Sequence, residues 1–200
     1  MAKILTNYSS FIIIMLLPIY AYGHPVLKKK ADIIAPDYPN LKELLDNMWF
    51  TMYEAHGVGL AAPQIGLSIR LFVIDSEQIE KEENPTHVGF KKVFINAQKV
   101  EETGSPWKYE EGCLSVPDIR GEVNRPPLLK IRYFDENFVE HVERFDGLNA
   151  RVIQHEYDHI EGILFTEYLS PVKRTLIRGK LEKIRIGKVK TEYKMKFAVR

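Results

Sequence analysis

The stretch QHEYDH, Gln154 to His159, sets two histidines four residues apart with a glutamate beside the first. Its surroundings read as a helix, with Asp146 where a cap is expected and Gly162 where a stop is expected. On a helix His155 and His159 project from one face, so both imidazoles can grip one metal ion. Glu156 lies about 100° further round. It is poorly placed to join them as a ligand and well placed to reach a water held by that ion. Two nitrogens that hold a metal, and a carboxylate that takes a proton from water, are the parts of metal-assisted hydrolysis. The same string arises by chance in many chains, and its place on an amphipathic helix is what favours the metal reading.

Two histidines need a third protein ligand if one coordination position is to stay open. The extended pattern HExxHxxGxxH asks for Gly at 162 and His at 165. Gly162 is present, but position 165 is Phe165. Glu182 and Glu192 lie downstream, and Glu182 falls in a strongly basic segment where a solvated carboxylate is the plainer reading. The strongest remaining candidate is Cys113 in EGCLSVP (Glu111 to Pro117), the single cysteine in 200 residues. A lone cysteine is ordinarily a small buried hydrophobe. A thiolate, however, is a good ligand for zinc or ferrous iron.

A third stretch, GVGLAAPQIG (Gly57 to Gly66), combines ordinary packing residues with two that invite chemistry. Gly57 can close a preceding helix. Gly59 offers a bare backbone that a peptide substrate can approach closely. Gln64 carries a carboxamide suited to a developing oxyanion.

Outward from these motifs the chain alternates in texture. Asn40 with Glu43 makes a capping box, and Leu41, Leu44, Leu45, Met48, Trp49 and Met52 recur at helical spacing up to Gly57. From Ile69 to Phe145 short β-type runs at 70–74, 92–95, 129–133 and 139–142 are separated by turn residues, with a polar surface loop over Ser76 to Thr86. Ser170-Pro171 opens a basic helix to about Ile184, and Lys188 to Phe197 can return as a final strand. A helix, then strands, then helices is an α+β pattern.

Two hundred residues fit one domain, and 45% apolar with 28% charged residues is an ordinary globular composition. A net charge of +1 excludes a chain that binds nucleic acid through overall charge. Its distribution is uneven: residues 171–200 hold eleven Lys or Arg and two Glu, a net of +9. That basic arm points to an anionic partner such as RNA, against a plain solvated surface. One cysteine without a disulfide partner fits a reducing, cytoplasmic compartment. The apolar run Phe11 to Leu17 loosely resembles a secretory signal and is too short to span a membrane, which takes ~20 residues.

Together GVGLAAPQ (57–64), EGCLS (111–115) and QHEYDH (154–159) resemble the three signature motifs of peptide deformylases, in order and with fitting spacing. The resemblance covers about Leu17 to Phe165. It implies an α+β fold and removal of the formyl group from the N-terminal methionine of new polypeptides. It implies one divalent metal, Fe2+ first and Zn2+, Ni2+ or Co2+ as alternatives, held by Cys113, His155 and His159. Glu156 takes the acid/base role, and Gln64 with the Leu114 N–H binds the substrate oxygen. The substrate is expected to lie extended along Val58-Gly59, with a methionine pocket near Val58, Leu114 and Val152. Val152 is as readily plain core packing. The family commonly begins near the stretch matched by Leu17 to Leu27. Residues 1–14 are therefore expected to be a disordered or misassigned extension, with Met15 as a start. Residues 15–170 would form the catalytic domain, with 171–200 appended to it and docking on ribosomal RNA. Glu111, Arg120 and Arg125 are expected to pair around the cysteine loop, and Asp158 to support the helix. A monomer is expected, with no DNA and no membrane partner. The rival is an HExxH metallopeptidase with a downstream Glu ligand, in which Cys113→Ser would spare metal binding.

Overall fold

The computed structural model describes residues 2–5, 12–79 and 88–198. In chain order its strands and α-helices are β1 (Ala2–Leu5), β2 (Ile12–Met15), β3 (Ile19–Tyr20), α1 (Leu41–Glu54), β4 (Gly59–Ala61), β5 (Leu71–Asp75), β6 (Lys91–Thr103), β7 (Trp107–Cys113), β8 (Val116–Arg125), β9 (Leu128–Phe134), β10 (Glu140–Asp146), α2 (Gly147–Ile160), α3 (Pro171–Arg185) and β11 (Met195–Lys196). It is an α+β fold.

The run LFVI in β5 lacks polar alternation because both of its faces are covered. Successive side chains along a strand point to opposite sides. Phe72 and Ile74 join Phe94, Ile131 and Tyr133 under Ala150, Ile153, Tyr157 and Ile160 of α2. Leu71 and Val73 join Val93 and Ile95 under Leu45, Met48 and Met52 of α1. The antiparallel sheet β10-β9-β6-β5-β4 is thus clasped between two helices, with β4 at its edge. Each fully buried aliphatic side chain contributes ~1.5–3 kcal/mol. That face, rather than local propensity, holds a helix of α1's length in place.

β7 and β8 form a separate antiparallel hairpin. Val116, Ile119 and Val123 of this hairpin pack with Phe165, Leu169 and with Ile177 and Ile184 of α3 in a third cluster. Arg151 of α2 ties this hairpin to the helix through Glu111 at 3.0 Å and the Val123 carbonyl at 2.9 Å, so the motif cysteine can meet the motif histidines.

Several local expectations change. Asn40 lies in the left-handed region at φ 55° and its side chain caps nothing, so no capping box forms. A side-chain cap needs extended backbone at that residue. Asp146 likewise makes no side-chain cap. Helix α1 is closed by His56 at φ 56° rather than by Gly57, whose N–H donates to the Met52 carbonyl. Ser76 to Gln78 is a short 3-10 turn with Ser76 fully buried, so the expected surface loop does not start there. The rest of it, residues 80–86, lies outside the described residues. Ser170 does cap α3, accepting from the Lys173 N–H. The expected final strand contracts to Met195–Lys196, which pairs parallel with β3. Of the expected extension at 1–14, Ala2–Leu5 pairs antiparallel with Ile12–Met15; residues 1 and 6–11 lie outside the described residues.

Candidate metal centre

Helix α2 carries His155 and His159 toward the end of β7, where the chain turns at Cys113. The Cys113 sulfur lies 3.2 Å from His159 Nε2. One donor atom from each of Cys113, His155 and His159 lies within 4.8 Å of the others. For bonds of ~2.3 Å to sulfur and ~2.0–2.1 Å to nitrogen, tetrahedral geometry separates the two donors by about 3.6 Å. The observed pair is within a few tenths of an ångström of that, so the three residues fit a single ion. Glu182 is exposed and bound to Arg185, away from this cluster. Glu192 lines the cleft but does not belong to the donor set.

The Glu111 carboxylate organises the base of the centre. It accepts from Arg125 through Nε at 2.7 Å and Nη2 at 3.0 Å, and from Arg151 at 3.0 Å. It also meets His155 Nδ1 at 3.0 Å, which leaves Nε2 to face the donor cluster. These contacts fill the ~four lone-pair directions a carboxylate offers. Burial alone would raise the Glu111 carboxyl, but the hydrogen bonds from His155 and Arg125 outweigh it and hold it well below the usual carboxylate range. Arg125 also reaches Asp158 at 2.7 Å, so strand and helix share one buried guanidinium. Arg120 instead pairs with Glu110 at the exposed side of the hairpin, because its position on β8 faces solvent.

Burial lowers both imidazoles. At His155 the Cys113 sulfur and Glu111 outweigh it and push the ring well above its ordinary value. At His159 burial, followed by the charge on His155, pushes it well below. A bound cation requires both rings neutral.

Glu156 is 4% exposed, and its Oε2 has no hydrogen-bond partner among the described residues. Burial pushes its carboxyl up to about 7, Glu111 and Asp158 add to the rise, and His155 opposes it. A Cβ placed on Gly59 would stand 2.5 Å from Glu156 Oε1. The glycine is therefore needed for the carboxylate itself, a reason invisible in the sequence.

Gln64 is buried, and its Oε1 accepts the Ala61 N–H at 2.8 Å. That fixes the carboxamide so that Nε2 faces Cys113 Sγ at 3.5 Å and Ser115 Oγ at 3.4 Å. The contact to Ser115 is long for an oxygen acceptor, and the one to Cys113 is of ordinary length for the larger sulfur, so this donor is held in direction toward the cysteine. Val58, Gly59, Gln64, Leu114, Val152 and Glu156 all line one cleft of about 840 Å³. Val152 also packs against the cluster under α2, as its core reading expects.

Two contributors escaped the sequence reading. Arg151 precedes His155 by one helical turn, and that spacing was an available signal. Tyr193 donates its hydroxyl to the Leu114 carbonyl at 2.8 Å across 79 residues, for which no sequence signal existed.

The sequence model of the family described as Polypeptide deformylase matches residues 16–175. A peptide deformylase of Christiangramia forsetii is 56% identical over 189 residues, 92% of this chain and 96% of the relative. One of Flavobacterium johnsoniae is 56% identical over 190 residues, 92% of this chain and 97% of the relative. The crystal structure of a peptide deformylase from Legionella pneumophila superposes with a TM-score of 0.75 at 37% identity, covering 84% of this chain and 95% of that one. With a matched family across the catalytic fold and close relatives along nearly its whole length, the chain belongs to the polypeptide deformylase family, hydrolases that remove an N-terminal formyl group.

Proposed function

We propose that Cys113, His155 and His159 hold one divalent metal ion and that Glu156 works beside it in hydrolysing the formyl group of formyl-methionyl polypeptides. The observation that carries this reading is the clustered sulfur and imidazole donors next to a buried carboxylate oxygen that has no hydrogen-bond partner among the described residues. One thiolate with two imidazoles suits Fe2+, Zn2+, Ni2+ or Co2+ rather than Mg2+ or Ca2+, and we assign Fe2+. When bound, the ion supplies Lewis acidity that makes water a nucleophile near neutral pH.

Glu156 takes the proton from the attacking water and later delivers it to the departing amine. Gln64 Nε2 and the Leu114 N–H donate to the formyl oxygen as negative charge grows there. The Ala61 N–H holds Gln64 Oε1 at 2.8 Å and so keeps Nε2 turned toward Cys113, on the side where that oxygen would sit. The substrate backbone lies along Val58-Gly59, at the outer edge of β4, and pairs there as an added strand. Such pairing reads main chain, which suits an enzyme acting on many sequences. The methionine side chain enters the apolar part of the cleft at Val58, Leu114 and Val152.

Residues 15–170 form the catalytic unit in this reading, with α3 and the tail appended through the third apolar cluster. Exposed Lys173, Arg174, Arg178, Lys180 and Lys183 on α3 provide the surface that docks on ribosomal RNA. The enzyme works as a monomer in the cytoplasm. No helix among the described residues is long and apolar enough to cross a membrane.

The test is formate release from formyl-Met-Ala-Ser by protein prepared anaerobically, with metal analysis and Glu156→Ala as control. Release by the parent that the control abolishes supports the reading; equal rates in both refute it. Docking is tested by ribosome co-sedimentation of a variant with Lys173, Arg174 and Arg178 changed to Glu. Undiminished, equally salt-sensitive binding would discard it.

A further inference from the structure

Beyond α3 the chain does not trail away. It turns at Gly187, φ +72°, where a Cβ would stand 3.0 Å from the Phe197 ring. Val189, Met195 and Phe197 pack against the third apolar cluster, which also receives Cys113. Strand β11 is stitched to β3: the Ile19 N–H donates to Lys194 O at 2.8 Å, and the Ala21 N–H to Lys196 O at 2.9 Å. Between these anchors, Lys190 to Tyr193 form a wall of the catalytic cleft. Thr191 Oγ1 donates to the Tyr193 carbonyl at 2.7 Å and fixes the approach of the ring.

The target of that wall is the turn after the metal-ligating cysteine. Tyr193 Oη donates to Leu114 O at 2.8 Å, and the Tyr22 N–H donates to Ser115 O at 2.8 Å. Consecutive carbonyls of the Cys113–Ser115 turn are thus pinned from opposite ends of the chain. A carbonyl held in place fixes the rotation of its own peptide plane, and the neighbouring plane carries the Leu114 N–H. The tail also lies past residue 175, where the family match ends.

We propose that Tyr193 is a positioning residue for deformylation, its hydroxyl locking the Leu114 peptide and so aiming both the Cys113 sulfur and the Leu114 N–H. This rests on the deformylase reading above. The tail is then part of the catalytic apparatus as well as an extension of the basic arm.

The test is Tyr193→Phe in the full chain, which removes one oxygen and keeps the ring. Measurements are made on the folded, metal-loaded fraction. The expected result is a kcat about fivefold lower, with KM for formyl-Met-Ala-Ser within about twofold and metal content unchanged; fivefold corresponds to ~1 kcal/mol, the size of one neutral hydrogen bond. The cobalt-loaded variant should show a shifted thiolate-to-cobalt absorption band, because the sulfur's approach to the ion changes. That band is read without substrate, so it reports on Tyr193 even if the parent releases no formate, an outcome that would sink the deformylase reading instead. Parent-like kcat and an unmoved band overturn the proposal. So does a loss of activity that only tracks lost metal or lost folded protein.

Discussion

Glu111 Oε2 stands 3.0 Å from His155 Nδ1, and this contact ties helix α2 to the strand that ends at Cys113. The same carboxylate neutralises two guanidiniums whose side chains are 6% and 3% exposed. Replacing it by an amide leaves Arg151 buried without a counter-charge and Arg125 with Asp158 as its one carboxylate. Glu111→Gln is expected to lower stability by ~3–5 kcal/mol, the usual cost of breaking a buried pair from one side. Metal affinity should fall about 10–100-fold, because the imidazole loses its orienting partner. Denaturant melts and a zinc titration check both; a parent-like result in each would show that Glu111 organises nothing.

In the proposed centre, the cysteine at 113 is the ligand that sets it apart from an ordinary HExxH protease. Cys113→Ser exchanges a thiolate for a hydroxyl that coordinates poorly, so the purified variant should hold far less than one metal per chain. Chelation should lower the melting temperature of the parent, since metal bound only to the folded state stabilises it, and should barely move that of the variant. Full metal content in the variant would restore the peptidase alternative.

Gly59 leaves room for the Glu156 carboxylate and no more. Gly59→Ala must push that side chain aside, whereas the donors on Cys113, His155 and His159 are untouched. A displacement of about 1 Å can cost ~10²-fold in rate. The variant is expected to retain one metal and lose about that factor in kcat. Formate release together with metal analysis decides it, and loss of metal in parallel would relocate the defect to the donors.

Acid stability should depend on Glu161, the residue that closes α2. Burial alone would raise its carboxyl, but hydrogen bonds from Lys30 and Arg70 outweigh burial and hold it below the ordinary 4.5. A depressed carboxyl stabilises the fold above its unfolded value, and the contribution disappears as pH falls from about 4.5 through the folded value. Glu161→Gln should therefore show a shallower drop in melting temperature between about pH 5 and pH 3 than the parent. Parallel melting curves would mean that the Arg70–Glu161 contact at 2.7 Å contributes no pH-dependent stability.

The periodic and motif-bearing parts were legible without coordinates. The 3.6-residue recurrence in Leu41 to Met52 and the i, i+4 histidines announce helices because one turn repeats the same face. The run LFVI announces a strand, and Ser170-Pro171 announces a helix start that does form. Capping at Asn40 was not legible, since it depends on a backbone angle that the flanking packing sets; Asp146 has the extended backbone and still makes no side-chain cap. The two halves of the hairpin were blurred by Gly112, Pro117 and Gly121, which read as turn residues although β7 and β8 run through them.

Chemical identity thus came from the order of residues: sulfur, two imidazoles and a carboxylate at spacings that one ion can gather. What holds them to a working geometry came from tertiary structure alone. Glu111 reaches His155 over 44 residues, Gly59 yields its side-chain space to Glu156, and Tyr193 reaches Leu114 over 79. A linear pattern records which groups a segment offers and which face it offers them on. The partner brought up from a distant segment depends on how sheet, hairpin and tail bury their apolar surfaces together, which only the folded chain decides.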